Sequence, residues 1–175
     1  MTDLDRAGIG RLLLLGCGKM GGAMLEGWLA GGMPPAGIAV IEPAPSERLA
    51  ALAGEGLALN PGSPQPPDVA VLAVKPQMMA EAAPALASFA GQGTLYLSIA
   101  AGTPIAAFEA MFGDDAAVVR AMPNTPSAVG AGITALVAND AAGEDGLAKA
   151  EALLAGLGQT VRLESEGQMD AVTGL

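Results

Sequence analysis

The stretch RLLLLGCGKMGGAM, residues 11–24, constrains this chain more than any other. An unbroken apolar run, 11–15, has the length of a strand and no polar alternation, as in a strand buried on both faces. It runs directly into Gly16, Gly18 and Gly21, spaced G-x-G-x-x-G, and then into MGGAMLEGWLAGG, an amphipathic helix stopped by Gly31 and Gly32. A strand, a glycine turn and a helix within 22 residues open a βαβ unit. Each glycine has a separate task in a turn that cradles a dinucleotide. Gly16 permits the sharp departure from the strand, Gly18 lets backbone approach a pyrophosphate, and Gly21 lets the helix pack closely. The helix then begins at the phosphates, with its free N–H groups and positive dipole end towards them.

The rest of the chain repeats the rhythm. IAVI (38–41), GLALN (56–60), DVAVLAV (68–74), TLYLSIA (94–100), AAVVRAM (116–122), AGITALVAN (131–139) and TVRL (160–163) read as strands. SERLAALAG (46–54) reads as a helix capped by Ser46 and stopped by Gly54. QMMAEAAPALASFAG (77–91) reads as a helix kinked at Pro84, and PIAAFEAMFG (104–113) as one with Pro104 in its first turn. GEDGLAKAEALLAGLG (143–158) closes the set of helices. The expected fold is α/β, a Rossmann-type doubly wound, mostly parallel sheet with helices on both faces. NPGSPQPPD (60–68) lies between two strands and stands as a loop in place of a helix. At 175 residues, 51% of them hydrophobic, the chain can build one sizeable core.

Composition removes several functions. There is no histidine and a single cysteine, Cys17, so a Ser-His-Asp triad, a zinc site and an internal disulfide are excluded, and no metal site is expected. Eight basic residues against eighteen acidic ones, net charge −10, argue against nucleic acid and anionic membrane as partners. The N-terminus lacks the basic and apolar regions of a signal peptide. No segment reaches the roughly 18 unbroken apolar residues of a membrane span. A cytoplasmic protein whose chemistry is brought by a cofactor is the expectation.

Glu42 and three further segments end strands, where doubly wound sheets bind ligands. Glu42 ends the second strand, 21 residues after Gly21, where a carboxylate grips adenosine ribose hydroxyls. At LAVKPQ (72–77), Lys75 either faces the cofactor or solvates a strand end. LSIAAGT (97–103) places small residues either for close approach to a flat ring or for a tight turn. In RAMPNTP (120–126) two prolines fix a loop that offers Asn124 and Thr125. Cys17 reads either as a thiol activated at a helix N-terminus or as a small residue filling a variable slot.

Taken in order and spacing, GCGKMGGAM, LAVKPQ, SIAAG, RAMPNTP and the terminal MDAVTGL resemble the pyrroline-5-carboxylate reductase family from Arg11 onward. The resemblance implies a Rossmann domain that binds NAD(P)H, and hydride transfer to the C=N bond of 1-pyrroline-5-carboxylate to give L-proline. It implies that Leu15, Gly16, Cys17, Gly18, Lys19 and Met20 hold the pyrophosphate. It also implies that Asn60 contacts a cofactor ribose. Ala73, Val74, Lys75 and Pro76, with Ala100, Ala101 and Gly102, would then follow the nicotinamide half, and the loop of Asn124 and Thr125 would line its pocket. Lys75 is the one candidate catalytic residue, its cation orienting the nicotinamide end.

Two departures stand out. Glu42-Pro43 occupies the place of a Ser or an Asn-Arg pair that welcomes the 2′-phosphate of NADPH, which favours NAD(H). The family also continues past TGL into a helical domain that supplies a homodimer interface and most of the substrate-carboxylate pocket. Residues 1–163 are therefore expected to form the dinucleotide-binding domain. Residues 164–175 would begin the helical one, frayed, with Val172 and Leu175 exposed and without measurable imine reduction by this chain alone. The alternatives are a related small-substrate oxidoreductase, such as an F420-dependent NADP reductase, and a non-catalytic dinucleotide-binding module.

Overall fold

A computed structural model of the chain describes residues 1–173, apart from the side chain of Thr125. Its centre is an eight-stranded sheet in the order β3-β2-β1-β4-β5-β6-β7-β8. The strands are β1 (Leu12–Leu15), β2 (Ile38–Ile41), β3 (Ala58–Leu59), β4 (Val69–Leu72), β5 (Leu95–Ser98), β6 (Ala117–Pro123), β7 (Gly132–Ala138) and β8 (Gly158–Arg162). The order reverses between β1 and β4, which pair in parallel with Leu12 opposite Val69 and Leu15 opposite Leu72.

The unbroken apolar runs have the expected cause. In β1, Leu12 and Leu14 enter one core, while Leu13 and Leu15 enter a second on the opposite face. Val69 and Val71 of β4 divide from Ala70 and Leu72 in the same way. The first face is covered by α2 (Lys19–Ala30), α3 (Glu47–Gly54) and α6 (Gly143–Leu154), through Met24, Trp28, Leu49, Leu52 and Leu153. Trp28 Nε1 donates to the Leu153 carbonyl at 2.9 Å, so the buried indole has its partner and joins α2 to α6. The second face is covered by α4 (Met79–Ala82), α5 (Ile105–Phe112) and α7 (Gln168–Thr173). There Tyr96 stacks on Phe112 with ring centroids 4.0 Å apart. A short helix, α1 (Asp3–Arg6), precedes β1.

The structure corrects or completes the sequence reading in four places. First, the sheet is mostly parallel as expected, and β7, whose direction the reading left open, runs antiparallel to β6. Only a short loop with one 3-10 segment, Thr125–Val129, joins them, and a parallel return requires a crossover of a dozen residues or more. Second, the helix expected over 77–91 breaks into a 3-10 turn, Pro76–Met78, then α4, then a 3-10 stretch, Ala83–Phe89, with Pro84 at its start. Third, α3 has its Ser46 cap, with Leu49 N–H donating to Ser46 Oγ at 3.2 Å. Its last helical residue is Gly54, as expected, but the residue that takes the left-handed turn after the Glu55 cap is Gly56, at φ +113°, rather than Gly54. The 60–68 segment is a loop, as expected, and Asp68 ties its end to β1 by accepting from the Gly10 and Arg11 N–H groups, both at 2.8 Å.

The fourth correction concerns residues 164–173, which do pack. Met169 is fully buried in the second core and Val172 lies against it, half-buried. Upstream, Glu166 Oε1 accepts from Arg120 Nη1 at 3.1 Å and from the Ile105 N–H at 2.7 Å, which pins the segment to β6 and to the start of α5. Leu175 lies outside the described residues. Met169→Ala removes a buried thioether and leaves a cavity, so it should destabilise the fold by about 2–4 kcal/mol. Urea unfolding should show this as a lower midpoint with an unchanged slope. A change near zero would restore the frayed tail.

Candidate functional site

At the reversal of strand order the C-terminal ends of β1 and β4 open a crevice, and the backbone there is held by the continuing ladder. Gly16 N–H donates to the Ile41 carbonyl at 2.9 Å, and Ala73 N–H to the Leu15 carbonyl at 2.8 Å. The three glycines differ as their tasks require. Gly16 has φ +87°, and a Cβ there would stand 2.9 Å from the Ala73 carbonyl oxygen and 2.8 Å from Val74 Cγ1. At Gly21 a Cβ would stand 2.6 Å from the Gly16 carbonyl oxygen. At Gly18 a Cβ would meet nothing within 4 Å. Gly16 and Gly21 are thus required by packing within the turn, while Gly18 borders open space.

Helix α2 begins at Lys19 with Gly18 as its cap. No side chain bonds to its first N–H groups and no acidic residue stands in its first turn. Its positive end therefore faces the crevice uncompensated. Arg6, Arg48, Arg120, Lys149 and Arg162 lie in ion pairs. Among the described residues, Arg11, Lys19 and Lys75 have no carboxylate within ion-pair distance; Arg11 lies at the opposite end of β1, while Lys19 and Lys75 flank the crevice at the ends of β1 and β4. In a chain of net charge −10, that makes this end of the sheet suited to an anion.

Glu42 is placed differently from the simplest expectation. Its Oε2 accepts from the Cys17 N–H at 2.8 Å and its Oε1 from the Ala44 N–H at 3.1 Å, so the carboxylate braces the glycine turn. Asn60, at φ +48°, spends its amide on the same strand end. The Glu42 N–H donates to Asn60 Oδ1 at 2.8 Å, and Asn60 Nδ2 donates to the Glu42 carbonyl at 2.9 Å. Asn60 thereby fixes the backbone of Glu42, and both of its amide atoms are engaged in doing so.

On the other side, Ala100 is buried while Ala101 and Gly102 are exposed, with Gly102 at φ +73°. Lys75 is exposed before the 3-10 turn of Pro76. Asn124 Oδ1 accepts from Ser127 Oγ at 3.1 Å and from the Ile133 N–H at 3.0 Å, so that side-chain oxygen closes its own loop. The side chain of Thr125 lies outside the described residues.

The sequence reading missed an apolar cavity of about 250 Å³ beside the crevice, lined by Leu15, Ile41, Pro43, Val74, Met78 and Ala82 among others. The alternation of β1 and β2 assigns Leu15 and Ile41 to this face, but α4, which closes it, carries no periodic signal long enough to read. A cavity of about 240 Å³ at the opposite strand ends, under the 60–68 loop, lies away from the glycine turn and both lysines. Among the described residues no three His, Cys, Asp or Glu side chains gather to hold a metal ion, and no helix is long and apolar enough to cross a membrane.

Residues 11–102 match the family described as NADP oxidoreductase, coenzyme F420-dependent. The chain is 37% identical over 169 residues to the pyrroline-5-carboxylate reductase of Pseudomonas aeruginosa, covering 94% of this chain and 62% of that protein. It superposes on the pyrroline-5-carboxylate reductase of Coxiella burnetii with a TM-score of 0.83 and 28% identity, over 95% of this chain and 63% of the other. The Plasmodium falciparum pyrroline carboxylate reductase with NADP bound shares the fold, with a TM-score of 0.76 and 22% identity, over 93% and 60%. The chain spans about three-fifths of the length of these relatives.

Within the turn, Cys17 is half-buried, and burial, then Glu42, then Glu26 push its thiol up to about 11. The reactive species is the thiolate. Near pH 7.5 only roughly one thiol in three thousand is ionised at such a value. This favours the plain reading of Cys17 as a space-filling residue over an activated thiol. Iodoacetamide labelling of the native protein should be far slower than for free cysteine and should climb through pH 10 without a plateau. Glu42→Gln removes one of the two carboxylates and should accelerate it. A plateau below pH 8 would mean an activated thiol.

Proposed function

The chain belongs to the NADP oxidoreductase, coenzyme F420-dependent family, and from that premise we propose that it is the dinucleotide-binding portion of a pyrroline-5-carboxylate reductase. The reaction is reduction of the C=N bond of 1-pyrroline-5-carboxylate to L-proline with NAD(P)H, a step of proline biosynthesis. The observation that carries this reading is the identity to the Pseudomonas aeruginosa enzyme over nearly the whole chain, glycine turn and strand-end loops included.

The residues at the crevice fit such a cofactor. Gly18 leaves its open face to the pyrophosphate, the uncapped start of α2 presents N–H donors, and Lys19 adds a cation. The cavity lined by Ile41, Pro43, Val74 and Met78 has the apolar character that an adenine ring requires. Glu42, braced by Cys17 and Ala44, is presented to the adenosine ribose. The backbone of 73–76 and 100–102 borders the nicotinamide half, where Ala101 and Gly102 leave room for a flat ring, and the loop of Asn124 and Thr125 closes that side.

When bound, NAD(P)H supplies the hydride that the imine carbon accepts. The chain's own contribution is to hold and orient: rigid turns fix the dinucleotide, and Lys75 directs the nicotinamide end. Residues 1–163 carry the dinucleotide-binding elements, and 164–173 pack back onto their second core. The segment from 164 onward leads towards the part of the relatives that this chain does not span, which would complete the substrate pocket and a homodimer.

Gly18→Val separates binding from folding. The added side chain meets no protein atom within 4 Å at its Cβ, and Gly18 has φ −77°, open to any residue. Stability should fall by no more than about 1 kcal/mol, the cost of a poorer helix cap. Affinity for the dinucleotide, measured calorimetrically, should fall by at least about a hundredfold, since the side chain stands where the pyrophosphate sits. Gly16→Ala should instead cost the fold several kcal/mol, on the order of 2–4, from strain and overlap with Ala73. For the reaction, residues 1–163 exchanged into the Pseudomonas aeruginosa enzyme should oxidise NAD(P)H only when 1-pyrroline-5-carboxylate is present. A folded, cofactor-binding exchange product that does not turn over would sink the reductase assignment.

A further inference from the structure

Glu42 has both carboxylate oxygens engaged by backbone N–H groups, and each oxygen keeps a lone pair for a further donor. A ribose 2′-hydroxyl supplies one. A 2′-phosphate supplies none and brings about −1.5 to −2 charges at neutral pH. Accepting it would need a cation on this rim. The basic residue closest along the chain is Arg48, in the first turn of α3, and it is already engaged: its Nε and Nη2 donate to the two oxygens of Glu26 on α2, at 2.8 and 3.2 Å. The pair belongs to the same rim, because it joins α2, which starts at the glycine turn, to the first turn of α3, which follows β2 and Glu42 within a few residues. Arg48 in turn holds the Glu26 carboxyl below its ordinary range, so the pair stays charged at neutral pH. Glu26, Arg48 and Glu42 together carry one net negative charge.

We propose that this chain takes NADH in preference to NADPH, with Glu42 as the direct discriminator. Glu26 is a second, remote determinant that keeps Arg48 from neutralising a 2′-phosphate. The proposal rests on the dinucleotide reading above and runs against the cofactor in the family's description. Arg48 and Glu26 are about half exposed, at 53% and 51%. The pair therefore acts by cancelling the charge of Arg48 rather than by rigid restraint, and its removal shifts affinity modestly.

The test is a calorimetric titration of the chain with NADH and with NADPH at one fixed ionic strength, thermal melts confirming that each variant is folded. NADH should bind about tenfold to a hundredfold more tightly. Glu42→Gln should bring the two dissociation constants close together, mainly by strengthening NADPH. Glu26→Gln should strengthen NADPH by about twofold to fivefold with NADH unchanged, and the further change Arg48→Gln should abolish that gain. Equal or tighter NADPH binding in the unaltered chain, or a ratio indifferent to Glu42→Gln, overturns the discrimination. A Glu26→Gln variant with unchanged NADPH affinity overturns the role of Glu26. Failure of both dinucleotides to bind is a different result: it overturns the dinucleotide reading, and this proposal with it.

Discussion

The close approach of Gly16 to the end of β4 sets the geometry on which the rest depends. With φ +87° and the Ala73 carbonyl 2.9 Å from where a Cβ would stand, only glycine turns the chain at that point. The turn lets β1 and β4 stay paired to their last residues while the chain swings away into α2, so the sheet can reverse its strand order there. It also places the Gly16 carbonyl against Gly21, so the second required glycine follows from the first. Gly18 is then left as the position at which the space is not used by the protein itself. A binding site arises where packing constrains the neighbours and leaves this residue's face open.

The position of Glu42 adds a second layer. A carboxylate at the end of β2 is ordinarily read only as a ligand for ribose, yet here it also bonds to the Cys17 N–H inside the turn. On the reading proposed above, the same group shapes the site and would recognise its occupant. Asn60 supports it from β3 by a reciprocal pair of hydrogen bonds, which fixes the backbone and leaves the carboxylate to choose its own partners. The cost falls on Cys17, whose half-burial, with Glu42 and Glu26 nearby, holds the thiol protonated. A residue that looks reactive from its place at a helix start is made inert first by its own burial and then by the acids that serve the site.

Much of this was legible in the sequence because the signals are local. Leu12–Leu15 and Val69–Leu72 carry no polar residue and must be buried on both faces. The separate tasks of Gly16, Gly18 and Gly21 follow from their spacing, and the Ser46 cap precedes a periodic helix. Contacts between distant residues were not legible. Arg48 meets Glu26 across 22 positions, Asn60 meets Glu42 across 18, and Arg120 meets Glu166 across 46, each brought together only by the strand order. The packing of 164–173 was misread for the same reason: Met169 has no neighbour in sequence that predicts its burial, since its contacts come from the second core. The reversed direction of β7 depended on recognising that no helix fits between residues 123 and 132. The apolar run of β7 is indifferent to direction.

Charge distribution connects these observations to binding. An acidic chain repels an anionic dinucleotide at long range, so attraction must be local. The structure satisfies this by pairing most of its cations with its own carboxylates and leaving Lys19 and Lys75 unpaired at the crevice, beside the uncapped start of α2. Screening at physiological salt, over about 8 Å, weakens the distant repulsion more than the contacts within the crevice. The same short range gives Glu42 its influence, since one carboxylate at contact distance outweighs many acids spread over the surface. A phosphate about 4 Å from that carboxylate meets roughly 4 kcal/mol of repulsion at an effective dielectric near 20, before exposure and salt reduce it. Selectivity at the ribose and attraction at the pyrophosphate can therefore have opposite signs within one crevice, because each is decided by the few groups in contact there.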